Sequence, residues 1–176
     1  NPDHLSMLER QRAERGWNGC LVTNPNCATI SAVMPLKPLH DAFGLRKAHI
    51  STLQAVSGAG YPGVASLDIL DNVIPNIANG GEESKIEAEP RKLLGQVDQG
   101  RVIEAPLTIS AQVTRVPVID GHTALISAAF ERKPSAEEAL EVLDNYLPPE
   151  IVRHLPSSPE RAVIVHRAGD RPQPRR

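Results

Sequence analysis

Thr108-Ile109-Ser110-Ala111-Gln112-Val113-Thr114-Arg115-Val116-Pro117-Val118-Ile119-Asp120-Gly121-His122-Thr123-Ala124-Leu125-Ile126-Ser127-Ala128-Ala129-Phe130-Glu131 alternates polar with β-branched or apolar residues on both sides of one short break. Residues 108–118 and 122–131 read as two strands. Ile119-Asp120-Gly121 reads as the tight link that makes them a hairpin. Upstream, 47–56 has the same alternation and gives another strand. It runs into Ser57-Gly58-Ala59-Gly60-Tyr61-Pro62-Gly63, a loop whose glycines let backbone approach a ligand closely. Gly80-Gly81 introduces a helix over 82–94, acidic first and basic last, ended by Gly95. Ser135-Ala136-Glu137-Glu138 opens a helix over 136–146 that turns Leu140 and Leu143 inward.

Toward the N-terminus, Pro2-Asp3 begins an amphipathic helix stopped at Gly16. Residues 20–23 read as a short buried strand, and 28–43 as a helix that Pro35 and Pro38 break or offset. A last short strand is expected at 162–165. The segment from Gly169 to Arg176 reads as a disordered or truncated tail, which leaves 1–168 as one domain. The chain has no internal repeat. Irregular interleaving with a late hairpin predicts an α+β fold, a mixed parallel/antiparallel sheet covered by helices, over a doubly wound one.

At 176 residues, with 40% hydrophobic and 23% charged, the chain suits one globular domain with a real core. Only 3% of residues are aromatic, so that core must rest on Val, Ile, Leu and Ala. A net charge of −2, with no basic stripe interleaved with aromatics, gives no electrostatic case for nucleic acid. Cys20 and Cys27 form neither a metal-type pair nor a disulfide framework. With no signal peptide or long apolar run, a reducing cytoplasmic setting is expected. The sequence opens on Asn1 rather than Met, which points to a fragment or a processed chain.

Asn24-Pro25-Asn26-Cys27-Ala28-Thr29 places a thiol where an apolar stretch turns into a helix. A helix start favours thiolate, and its N–H groups suit the oxyanion formed when sulfur attacks a carbonyl. The other reading of such a cysteine is a small core residue, which is the one taken for Cys20. His122, at a strand end, suits a general acid/base or is a surface-turn histidine. Arg115 stands in an otherwise apolar strand and either binds a carboxylate bidentately or lies over an edge.

Glu82 and Lys85 share a face at a helix start: a solvated pair, or a phosphate site built from the helix N-terminus and the lysine. Gln54, just before the glycine loop, either orients a substrate or faces outward. No histidine sits beside another His, Cys or carboxylate at ligand spacing, so no metal site is expected. The set of thiol, histidine, arginine and lysine suits acyl transfer from an acyl phosphate.

Four ordered motifs carry a resemblance: Thr23-Asn24-Pro25-Asn26-Cys27, the stretch Leu53-Gln54-Ala55-Val56-Ser57-Gly58 through Gly63, Gly81-Glu82-Glu83-Ser84-Lys85, and Arg115 through His122. Together they resemble the aspartate-semialdehyde dehydrogenases, closest to the archaeal and fungal branch. The resemblance implies a domain like the C-terminal catalytic domain of glyceraldehyde-3-phosphate dehydrogenase-like enzymes. It implies NADPH-dependent reduction of β-aspartyl phosphate to aspartate semialdehyde and phosphate, on the route to threonine, methionine and isoleucine.

By motif, Cys27 would form a thioester, His122 would be the acid/base, and Gln54 would orient the reacting groups. Arg115 would bind the substrate α-carboxylate, Glu82 its amine and Lys85 its phosphate, with Asn26 beside the phosphate. The E-x-x-K spacing favours Glu82 over Glu83 for the amine. Ser57 and Gly58 would line the nicotinamide.

The one G-x-G-x-x-G, Gly58 to Gly63, carries Pro62 and opens no helix expected before residue 82, so the NADP-binding domain is expected to be missing. What remains is expected to be the catalytic and dimerisation half, pairing into a dimer or tetramer and not binding NADP or turning over by itself. The alternatives are a related acyl reductase, of malonyl-CoA or N-acetylglutamyl-phosphate type, and a non-catalytic oligomerisation module.

Overall fold

The computed structural model describes residues 1–175. In chain order its elements are α1 (Met7–Arg15), α2 (Cys27–Phe43), β1 (Leu45–Gln54), α3 (Ser66–Ile69), β2 (Ile74–Pro75) and α4 (Gly81–Leu93). There follow β3 (Gln96–Asp98), β4 (Arg101–Ile103), β5 (Thr108–Arg115), β6 (His122–Phe130), α5 (Ala136–Asp144) and α6 (Glu150–Arg153). A four-stranded sheet has the order β2-β5-β1-β6, and β3-β4 is a separate two-stranded ribbon. β1 runs parallel to β5 and antiparallel to β6, which is the mixed α+β arrangement expected.

β5 and β6 are not a hairpin. β1 lies between them and pairs with both along its length. The link 116–121 therefore crosses the end of β1 rather than turning back on β5. Backbone hydrogen bonds fasten it there: Val116 N–H to the Gln54 carbonyl at 2.9 Å, Val56 N–H to Val118 at 2.8 Å, and Ser57 N–H to Ile119 at 3.0 Å. These bonds serve the crossing as a hairpin ladder would have served a turn.

α2 and α4 pack on one face of the sheet, and α5 packs on α2. β1 alternates accordingly. Ala48, Ile50, Thr52 and Gln54 are buried beneath the helices, while Lys47, His49 and Leu53 are exposed on the other face. The core joins Ala28, Ala32 and Leu36 of α2 to Ile50 of β1, Ile86 of α4 and Val113 of β5. Ile50 is fully buried in the shared strand, so Ile50→Ala should cost about 3 kcal/mol in urea denaturation.

Four local expectations are corrected. Residues 20–23 form no strand: they are exposed, with Leu21 at 68% and Val22 at 66%, because no strand lies alongside to pair with them. Cys20 is accordingly exposed, not core. Residues 162–165 likewise form no strand. Pro35 and Pro38 do not break α2, which runs unbroken through both. Its inward residues, with Leu36 and Phe43 nearly fully buried, outweigh the lost backbone bonds.

α5 stops at Asp144, two residues early, and keeps its capping box between Ser135 and Glu138. Residues 169–175 have neither helix nor strand, and the last residue of the expected tail lies outside the described residues.

Candidate active site

The crossing at the end of β1 builds the site. Gln54 is in register with Arg115 on one side and with His122 on the other. Since side chains alternate along strands, all three point to the helix-covered face and form one row across three strands. Above that row, α2 begins at Cys27. His122 Nε2 lies 3.2 Å from Cys27 Sγ. The Ala55 N–H donates to His122 Nδ1 at 3.1 Å. A backbone amide can only donate, so the neutral ring carries its proton on Nε2, facing the sulfur.

Arg115 is 5% exposed, and its Nη1 donates to the Ala55 carbonyl at 2.6 Å. It makes no ion pair among the described residues. β5 is an interior strand, which settles the open question of whether this side chain lies over an edge. A buried guanidinium bonded only to a carbonyl retains capacity for an anion.

Gly58 sits directly against this pair. A Cβ there would stand 2.8 Å from His122 Cε1 and 2.9 Å from Arg115 Nη1. Ser57, Gly58, Gly121, His122, Cys27 and Ser31 line an open cleft over the sulfur. Gln54 is 1% exposed, and its Nε2 donates to Thr52 Oγ1 at 3.5 Å. The outward-facing reading of Gln54 is therefore corrected.

Asn26 caps α2. Its Oδ1 accepts from the N–H groups of Ala28 and Thr29, at 3.0 and 3.2 Å, and the Ile30 N–H bonds to its carbonyl. The expectation that the helix-start N–H groups would hold an oxyanion is thus corrected for these three, because they are already bonded. Asn26 Nδ2 donates to Glu82 Oε2 at 2.7 Å, and Glu82 Oε1 pairs with Lys85 Nζ at 3.0 Å. Lys85 is half exposed, and the Glu82 carboxylate raises its pKa.

Burial alone would raise the Glu82 carboxyl. Hydrogen bonds from Lys85 and Asn26, with a smaller contribution from Gln54, outweigh it and leave its pKa below the ordinary value. A depressed carboxylate pKa gives stability that is complete above the ordinary value of 4.5 and is lost as pH falls through the folded value. Between 4.5 and that folded value, wild type should therefore lose stability more steeply than Glu82→Gln. Urea midpoints measured across the acid range would check this.

The structure thus brings together all nine residues singled out from sequence: Cys27, His122, Gln54, Arg115, Ser57 and Gly58 around the sulfur, with Glu82, Lys85 and Asn26 joined through the helix cap. Sequence reasoning missed Glu89, whose Oε2 accepts the Asn26 N–H at 2.9 Å. Its spacing, seven residues after Glu82 on one helix face, was the available signal. It also missed Ser31 and the backbone of Ala55. Among the described residues no group of three or more His, Cys, Asp and Glu could hold a metal ion, and no helix is long and apolar enough to cross a membrane.

The chain is similar to known proteins along nearly its whole length. The chain is 51% identical over 175 residues to the aspartate-semialdehyde dehydrogenase of Archaeoglobus fulgidus, covering 99% of this chain and 49% of that protein. It is 48% identical over 183 residues to that of Schizosaccharomyces pombe, covering 99% of this chain and 50% of that protein. The chain spans about half the length of these curated relatives.

Among solved structures, aspartate semialdehyde dehydrogenase with NADP from Candida albicans superposes with a TM-score of 0.86 at 38% identity, over 99% of this chain and 51% of that one. The sequence profile of the semialdehyde dehydrogenase dimerisation domain matches residues 36–176, from the middle of α2 onward. The profile match over most of the chain, together with a fold shared with the Candida albicans enzyme over 99% of this chain's length, shows that the chain belongs to the semialdehyde dehydrogenase family.

Proposed function

We propose that this chain is the catalytic half of an NADP-dependent aspartate-semialdehyde dehydrogenase acting on β-aspartyl phosphate, in the route to threonine, methionine and isoleucine. The observation that carries it is the Arg115–Gln54–His122 row beneath Cys27, with His122 Nε2 at 3.2 Å from Sγ. Cys27 Sγ, hydrogen-bonded by His122 Nε2–H, attacks the acyl carbon, the carbon–oxygen bond to phosphate breaks, and a thioester forms as phosphate leaves toward Lys85, taking up the thiol proton. Asn26 keeps one amide N–H for the phosphate after bonding Glu82. Arg115 holds the α-carboxylate and Glu82 the amine, and Gln54 orients the acyl oxygen.

NADPH, when bound, supplies hydride to the thioester carbon. Ser57 and Gly58 would hold its nicotinamide end, since the missing Gly58 side chain leaves space against His122. His122 Nε2–H would hydrogen-bond the acyl oxygen while it carries negative charge, and the carbon–sulfur bond would then break, releasing the aldehyde and returning the Cys27 sulfur as thiolate. The rest of the cofactor needs a phosphate-binding loop that opens a full helix, and the one G-x-G-x-x-G, Gly58 to Gly63, leads only to the four-residue α3. The chain alone is therefore expected to show no NADPH turnover.

The pairing of an acidic with a basic group favours an amino acid substrate over the acyl-CoA of a related reductase. The helix-free face of the sheet is the proposed self-association face, which sedimentation of the purified chain would report.

Incubation with β-aspartyl phosphate, acid quench and peptide mass spectrometry tests the reading. An aspartyl thioester on Cys27, absent in Cys27→Ser, is expected. A folded chain that gains no adduct, or gains it equally on Cys20, overturns the reading.

A further inference from the structure

We infer that Glu89 is a positioning residue for the Cys27 nucleophile, acting through the backbone of Asn26. The inference rests on the reading of Cys27 as nucleophile. The chain reaches Cys27 through an exposed segment with little hold on the domain. Leu21 is tied to the Gln11 side chain, and residues 22–25 make no hydrogen bond among the described residues. The next fastening is the Asn26 N–H on Glu89 Oε2, at 2.9 Å. One residue later the helix begins and the sulfur is in place.

α4 grips Asn26 twice. Glu82 takes the side-chain amide and Glu89 takes the backbone N–H. The two carboxylates lie seven residues apart, hence on one helix face, and Ile86 between them is fully buried in the core. The rigid core of α4 therefore fixes the start of α2 from two points. Only the Glu89 bond acts on the backbone itself, where a shift moves the Cys27 Cα directly. A charge-assisted bond of this kind is stronger than a neutral one. Losing it frees the corner that keeps Sγ within 3.2 Å of His122 Nε2. Glu89 itself makes no bond to Cys27, His122 or Arg115.

Alkylation by iodoacetamide, followed by mass spectrometry at Cys27 and Cys20 across pH, tests the inference. Glu89→Ala should slow Cys27 about tenfold and distort its pH profile, while Cys20 reacts as in wild type. Glu89→Gln keeps an acceptor oxygen and should restore Cys27 to within about twofold of wild type. An unchanged Cys27 in Glu89→Ala, or a Glu89→Gln loss as large as the alanine one, overturns the inference.

If Glu89→Ala fails to fold, amide exchange in wild type decides. The Asn26 N–H should exchange well behind that of Asn24, and equal rates overturn the inference. Equal reactivity of Cys27 and Cys20 in wild type would instead overturn the nucleophile reading, so the two failures are distinguishable.

Discussion

Gly58→Ala will slow thioester formation on Cys27 by about a hundredfold while leaving the fold in place. The added methyl group would stand 2.8 Å from His122 Cε1 and 2.9 Å from Arg115 Nη1, closer than carbon can approach either. Both atoms belong to side-chain ends, which elsewhere would swing aside at little cost. Here neither is free. His122 is held by the Ala55 N–H on one nitrogen and by Cys27 on the other, and Arg115 by the Ala55 carbonyl.

One of these bonds must lengthen, and the imidazole or the guanidinium moves off station. A displacement near 1 Å costs on the order of a hundredfold in rate. Rapid quench with β-aspartyl phosphate gives the rate, and a urea melt within about 1 kcal/mol of wild type would show that the loss is local. A variant that acylates at the wild-type rate would show that the loop yields instead of the side chains.

His122→Ala should cost roughly a thousandfold in the same assay, within the range spanned by a positioned general acid/base. That corresponds to about 4 kcal/mol of barrier. The ring does two things at once. Its Nδ1 accepts from Ala55 and sets the ring plane, and its Nε2 proton faces the sulfur. Nitrogen-15 spectra of labelled histidine distinguish the two neutral tautomers directly. His122 should show the Nε2–H form, and an Nδ1–H form would contradict the hydrogen bond from Ala55. His49, bonded to hydroxyls that can donate or accept, provides a contrast without such a fixed preference.

The chemistry-bearing stretches were legible because their residue types are unusual where they stand. A cysteine after Asn-Pro-Asn, an arginine in a Val-rich strand, and glycines after Gln54 each need an explanation that packing alone does not give. The turn at Ile119-Asp120-Gly121 was misread because a local signal reports that the chain bends, not what lies between the two arms. Residues 45–54 have the same alternation whether they lie at an edge or at the centre, so only tertiary pairing reveals that β1 is inserted there.

The short runs at 20–23 and 162–165 failed for the opposite reason. Apolar residues alone do not make a strand without a partner ladder. Glu89 escaped notice because its role is a bond to another segment's backbone, which no side-chain motif encodes.

The insertion of β1 between β5 and β6 also has a consequence in time. Cys27 and His122 are 95 residues apart in the chain, and the strand beneath the sulfur waits for partners from the later half. A ribosome making this chain releases the thiol well before the histidine that is to face it. During that interval the sulfur has no His122 beside it and no completed cleft around it. The parallel β1–β5 pairing closes a long loop before it gains any ladder bonds, which places this domain among slower-folding topologies. Oxidants or electrophiles met during synthesis would find Cys27 before the cleft around it exists.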